Sequence, residues 1–267
     1  MDLGGGVNLE LLLIPAGEFL MGGDMPAAEL LKKAGGGGGW EGREFPQHKV
    51  RITRPYYLGK YEVTQEQWEK VMGGNPSSFK DGKRHPVEQV RHDDCQKFVK
   101  KLNEMFPHPI SSPAGRGAGE RAEFRLPTEA EWEHACRAGT ATPFWFGEKI
   151  TTDMANYNGD VWDEQEGVGR GKPVAVGSFK PNPWGLYDVV GNVWECCEDW
   201  SGTYGKEDVT DPKGPDKGAA WILRGGSWNF PPAKCRSAFR SAQPLSGRAP
   251  DHGLRVLMVV PAPGPKL

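Results

Sequence analysis

Cys235 is the residue on which a chemical reading of this chain turns. It lies in RGGSWNFPPAKCRSAFR, Arg224 to Arg240, whose ends are small residues and arginines and whose middle, Asn229 to Lys234, is a surface-like mixture. An unpaired cysteine is among the most buried residue types, so Cys235 is expected to be a small core hydrophobe beside the arginines. The other cysteines are Cys95, Cys136, Cys196 and Cys197. Their odd total and the lack of a basic-then-apolar leader predict reduced thiols, with one disulfide as the alternative. His48, His85, His92, His108, His134 and His252 contain no His-x-x-x-His pair. A helical histidine with no partner one turn away cannot start a metal site, so His134 is expected on a solvated helix face. The glycine run Gly35–Gly39 is followed by neither a lysine nor a helix start, and reads as a linker rather than a phosphate cradle.

Bulk properties narrow the partners. A formal charge of -2 on 267 residues provides no basic field for nucleic acid. The longest apolar runs, near Leu11–Ile14 and Val256–Val260, are far too short to span a bilayer. These features predict a chain with no nucleic-acid or membrane partner, in the cytoplasm. With 37 glycines, 23 prolines and 10 tryptophans, the elements must be short and the burial largely aromatic.

The elements that position Cys235 carry readable signals. Thr64 with Gln67, and Thr128 with Glu131, have the spacing of capping boxes. Trp68, Val71 and Met72 share a face of the first helix before Gly73 stops it. Cys95, Phe98, Val99, Leu102 and Phe106 keep helical period up to Pro107. Trp132, Ala135 and Cys136 face inward on a third helix, closed by Gly139. Strands are predicted in LELLLIPAGEFLM, HKVRITRPYYL, WILRGG and LRVLMVV. Strands at both ends and helices between them predict one α+β domain over 7–261, whose first and last strands meet, with a frayed tail over 262–267.

The succession IPAGEFLMGG, YYLGKYEVTQEQWEKVMGGNPSSF, PVEQV, FRLPTEAEWEHACRAGT, NPWGLYDVVGNVWECCEDW, RGGSW and GLRV resembles the formylglycine-generating-enzyme, or sulfatase-modifying factor, domain family. The resemblance implies a loop-rich domain of C-type lectin-like fold. That family contains oxidases, sulfur-transfer enzymes and binding proteins, so the fold alone does not fix the reaction. The oxidases carry two cysteines five residues apart, able to hold Cu(I). Here Cys235 stands at the second position and Phe230 at the first. One sulfur cannot make that two-coordinate site, so no copper is expected; an oxidase using Cys235, or a related catalytic member, remains the alternative. The iron-dependent sulfoxide synthases of the family use closely spaced histidines on an additional domain, which this sequence lacks.

The resemblance also implies structural Ca2+. One site would draw side-chain oxygens from Asp188 and Glu195 and carbonyls from Gly191 and Val193. A second would use Asn156 and Tyr157, with Glu166 and Val168 as its other half. Cap and salt-bridge work is the alternative reading of Asp188 and Glu195.

Between the fixed-looking residues of the C-terminal stretch lie residues that follow neither helix nor strand period. This layout resembles the variable proteins of diversity-generating retroelements, in which adenine-rich Asn codons are scrambled between frame residues. Most of the interspersed residues have codons one or two changes from an Asn codon, although Lys234 and Gln243 fit less simply. The predicted contact surface comprises Trp228, Asn229, Phe230, Pro231, Ala233, Lys234, Phe239, Ser241, Gln243, Leu245, Ser246, Gly247, Ala249, Pro250, Asp251 and His252. Its ligand would be a protein or a small molecule, gripped by apolar anchors and oriented by hydrogen bonds. Ordinary loops of a non-catalytic family member are the plainer alternative to a retroelement.

Overall fold

A computed structural model of the chain describes residues 1–24, 43–107, 123–159 and 168–259. The glycine run, His108, Glu166 and the tail lie outside the described residues. So does most of the Pro-, Gly- and Ser-rich segment before the third helix. Among the described residues, three small sheets carry the fold. The first has the order β1-β4-β11-β5 and consists of Leu11–Ile14 (β1), Tyr56–Gly59 (β4), Leu257–Val259 (β11) and Glu123–Arg125 (β5). The first and last strands, β1 and β11, share this sheet without pairing: each is antiparallel to β4, which lies between them. The second sheet has the order β10-β6-β8-β9: His252–Gly253 (β10), Trp194–Trp200 (β6), Ala220–Arg224 (β8) and Arg240–Pro244 (β9). Gly17–Met21 (β2), His48–Ile52 (β3) and Val209–Thr210 (β7) form the third.

Among the described residues the α-helices are Gln65–Met72 (α1), His92–Met105 (α2) and Glu129–Arg137 (α3). Both expected capping boxes form, at Thr64 with Gln67 and at Thr128 with Glu131. Gly73 ends α1 in the left-handed region. At the end of α3 that conformation falls on Ala138, one residue before the expected Gly139. Trp68 of α1 and Phe98 of α2 stack with ring centroids 5.0 Å apart, which locks the two apolar faces together. Among the described residues no helix is long and apolar enough to cross a membrane.

His134 corrects its expected place. Only 5% exposed, it packs against Phe19 and Trp184 and contacts the Pro15 carbonyl at 3.1 Å. Strand β2 covers the face of α3 that the helical pattern alone leaves polar.

The strand β6, WECCEDW, carries no clean alternation and is buried along most of its length. Its consecutive residues are buried, so both its faces meet protein and period-two reading fails.

Candidate functional site

The stretch 224–240 begins at the end of β8 and returns as β9, and its shape is fixed by buried guanidinium groups. Arg224 donates to the carbonyls of Ser237 (2.8 Å), Ala238 (2.9 Å) and Phe239 (2.8 Å) and is ion-paired with Glu133. Arg240 pairs with Glu129 and donates to the Gly202 carbonyl at 2.6 Å. Arg236 makes a two-pronged pair with Glu44, at 2.8 and 3.0 Å. Forked, charge-assisted bonds of this kind hold loop backbone while neighbouring side chains differ. Gly226, at φ 79°, is required here: a Cβ would lie 2.4 Å from the Cys235 sulfur.

Cys235 is wholly buried, as expected, at the end of a 3-10 turn over Pro232–Cys235. Burial pushes its thiol up to about 12, which favours the protonated form at neutral pH. Phe230 is half-buried. Its ring meets Trp194 edge-on at 5.5 Å, and the Lys234 ammonium lies 4.7 Å above it.

The structure divides the predicted contact surface. Asn229, Leu245 and Ser246 are exposed, Leu245 by 52% on the turn closed by Gly247 N–H to Pro244 O. Trp228, Phe230, Pro231, Ala233, Lys234, Ser241, Gly247, Ala249, Pro250 and His252 are half-buried. The Trp228 indole N–H donates to the Pro250 carbonyl at 3.3 Å and ties the two halves of the face together.

Three of the predicted surface residues are interior instead. Phe239, 2% exposed, packs beside Trp194 in the core. Gln243 is buried with its amide donating to the Gly247 carbonyl, and Asp251 is buried accepting from the Ser227 hydroxyl at 2.7 Å. Each belongs to the frame: Gln243 lies on β9, whose burial does not alternate, Phe239 stands just before that strand and Asp251 just before β10, so no period-two pattern marks them.

Asp188 and Glu195 flank the turn at Gly191, which pairs with Asn156. Gly191, at φ 81°, bridges to Asn156, whose oxygen would be 2.3 Å from an added Cβ. Glu195 is held on both oxygens, by Arg255 (2.7 and 2.9 Å) and by the Trp132 indole (2.7 Å). That is the salt-bridge alternative and leaves Glu195 committed. The sequence reading missed Glu62, which is fully buried and accepts from Asn192 at 2.6 Å and from the Val193 N–H at 3.0 Å. The only sequence signal was a lone acid in YEVT.

Burial, then the charges of Asp188 and Glu195, push Glu62 well above the usual carboxylate range. Burial raises Asp188 to about 6. Asp188 Oδ1 and Asn156 Oδ1 are buried without a hydrogen-bond partner. Unpartnered oxygens among excess negative charge suit a hard cation. Among the described residues no three His, Cys, Asp or Glu side chains gather as a metal-binding group. Tyr157 is buried, and Val168 is exposed with its N–H directed to the Thr152 hydroxyl at 3.4 Å. The proposed half-site with Glu166 lies partly outside the described residues.

These carboxylates set a pH dependence. Burial raises Asp199 to about 8 and Glu88 to about 7. An acid whose folded value is raised stabilises the fold below its unfolded value and loses that contribution as pH climbs through the folded one. His92, which burial lowers to about 4, acts oppositely, but only below about pH 6.5. In chelator, the melting temperature is therefore expected to fall between about pH 6.5 and 8.5. Asp199→Asn should flatten that fall. An equally steep fall in the variant would remove Asp199 as its source.

The sulfatase-modifying factor enzyme 1-like domain family matches residues 7–260. The formylglycine-generating enzyme of Streptomyces coelicolor is 36% identical over 292 residues, covering 91% of this chain and 87% of that protein. A serine/threonine-protein kinase pkn1 of Chlamydia pneumoniae is 32% identical over 86% of this chain, and the chain spans 35% of that protein's length. Among solved structures, Treponema denticola variable protein 1 superposes with a TM-score of 0.76 at 27% identity, covering 95% of this chain and 96% of that one. The order of sheets and helices is thus the α+β, C-type lectin-like arrangement of these relatives. The chain belongs to the sulfatase-modifying factor enzyme 1-like domain family.

Proposed function

We propose that this chain is a non-catalytic binding member of its family, which presents the surface formed by 228–234 and 244–252 to a protein or small-molecule ligand. The observation that carries this reading is the pairing at the oxidase position. Cys235 is a buried, protonated thiol, and the place five residues before it is filled by Phe230 packed on Trp194. Two thiolates are needed to hold Cu(I) in two-coordinate geometry, and this position supplies one. Exposed Leu245 and half-buried Phe230 offer apolar anchors on a backbone held by Arg224, Arg236 and Arg240.

The thiol is a packing group on this reading. Cys235→Ser should fold with a loss of about 1–3 kcal/mol, from placing a hydroxyl in a buried apolar site, as measured by denaturant titration. Loss of a turnover that the parent chain possesses would contradict it.

Likeness to a protein named a variable protein supports the further reading that the exposed positions of this face are the ones that vary. A neighbouring reverse-transcriptase gene, with a near-copy of the coding bases differing at adenines, would establish that origin. An unrelated neighbourhood would leave an invariant binding face.

We also propose one structural Ca2+, held by Asp188 and the Asn156 amide oxygen with the carbonyls of Gly191 and Val193. When bound it would neutralise the buried carboxylates. Glu195 stays with Arg255. A chelator should lower the melting temperature, because a ligand specific to the native state stabilises it by mass action. An unchanged melt with no metal by elemental analysis would sink this proposal.

A further inference from the structure

The loop that precedes α2 joins the proposed face. Phe79 meets the Trp228 ring edge-on, with centroids 5.5 Å apart, and the Gln89 N–H donates to the Ala249 carbonyl at 3.0 Å. Glu88 is wholly buried; it accepts from the Phe79 N–H at 2.8 Å, and its own N–H donates to the Ser77 hydroxyl at 3.2 Å. These bonds fix the loop backbone beside 228–234 and 244–252, and half-buried Phe79 extends the apolar part of the surface.

The unpaired charges around this extended surface are mostly positive. Lys80, Arg91 and Arg248 are exposed, and the Lys234 ammonium lies 4.7 Å over the Phe230 ring. Asp94 balances part of this charge, with Arg248 at 3.1 Å and Lys97 at 3.5 Å. Asp81 is taken up by Lys172 at 2.8 Å. Among the described residues, Lys80, Arg91 and Lys234 form no such ion pair; Asp93, next to Arg91, is the exposed acid that runs against the pattern. On a chain of formal charge -2 this is a local excess. We propose that the partner of this face is an acidic segment of another protein, its apolar side chains set against Phe79, Trp228 and Leu245 and its carboxylates paired with Lys80, Arg91 and Lys234. The inference rests on the binding reading and names the chemistry of the ligand. Aromatic side chains bordered by exposed charges are the anatomy of a protein–protein contact. Unpaired rim charges steer a partner of opposite sign and reject one of like sign.

The test pans a random-peptide display library on the full chain and measures the selected peptides, made synthetically, against the chain and its variants by fluorescence anisotropy. The expected result is enrichment of Asp and Glu interspersed with aromatic or aliphatic residues, and binding that weakens as salt is raised. Lys80→Glu combined with Arg91→Glu should weaken binding by about tenfold or more, because like charges facing one another across an interface are strongly unfavourable. Lys80→Gln with Arg91→Gln should lose less, and Leu245→Ala should weaken the same peptides. If the charge-reversed chain fails to fold, the neutral pair and the salt dependence decide. Selected peptides with no excess of acids, yet weakened by Leu245→Ala, would overturn the acidic partner and leave the binding reading standing. Acidic peptides indifferent to the changes at Lys80 and Arg91 would overturn the proposal, and indifference to Leu245→Ala as well would count against the binding reading itself. Equal binding of a single-stranded oligonucleotide, which marks a general polyanion surface, or the absence of any selected peptide would also overturn it.

Discussion

Replacing Arg224 with alanine is expected to destabilise the chain by about 3–5 kcal/mol, the cost of breaking a buried ion pair from one side. The guanidinium is fully buried and its loss strands more than one partner. Glu133 would keep a neighbour in Arg137, at 2.8 Å, but the three carbonyls of Ser237, Ala238 and Phe239 would lose their donor. An unsatisfied buried acceptor is costly in its own right. Arg240→Ala should behave similarly, because it leaves Glu129 buried and uncovers the Gly202 carbonyl. Denaturant titration measures both. A loss below about 1 kcal/mol, the range of exposed pairs, would mean that the stretch after β8 is held by something other than its arginines.

The second large effect separates frame from face within one stretch. Phe239→Ala should cost about 3–5 kcal/mol, as truncation of a core aromatic does, because the ring packs beside Trp194 behind β9. Leu245→Ala, on the exposed turn, should change stability by no more than about 0.5 kcal/mol. A combined Asn229, Leu245 and Ser246 replacement should melt close to the parent. Its effect belongs to ligand binding, since a few central apolar anchors carry most of an interface's energy. If Phe239→Ala were as mild as Leu245→Ala, the division of this surface would be wrong.

Much of the scaffold was legible because local chemistry states it. The capping boxes at Thr64 and Thr128 and the apolar period from Cys95 to Leu102 all appear where the residues point. The buried state of Cys235 was legible for the same reason, as a small apolar residue between arginines. What stayed hidden depends on partners distant in sequence. His134 is buried by β2, more than a hundred residues earlier. Gln243 is buried on β9, which pairs with β8 in a register that no local period announces, and Phe239 is buried just before that strand. Glu62 joins Asp188 and Glu195 only because the segment after β4 passes beneath the turn at Gly191. A charge cluster assembled from two distant segments leaves no spacing to read.

The central claim is that the position of the oxidase cysteine pair serves packing, while the surface beside it serves binding. Its most direct test is one assay on the reduced chain: titration with Cu(I), followed by oxygen uptake and aldehyde detection with a cysteine-containing peptide. The account predicts no stoichiometric copper at Cys235, no oxygen consumed above the peptide blank and no aldehyde formed. One equivalent of copper bound through Cys235, with oxygen-dependent conversion of the peptide cysteine, would contradict it.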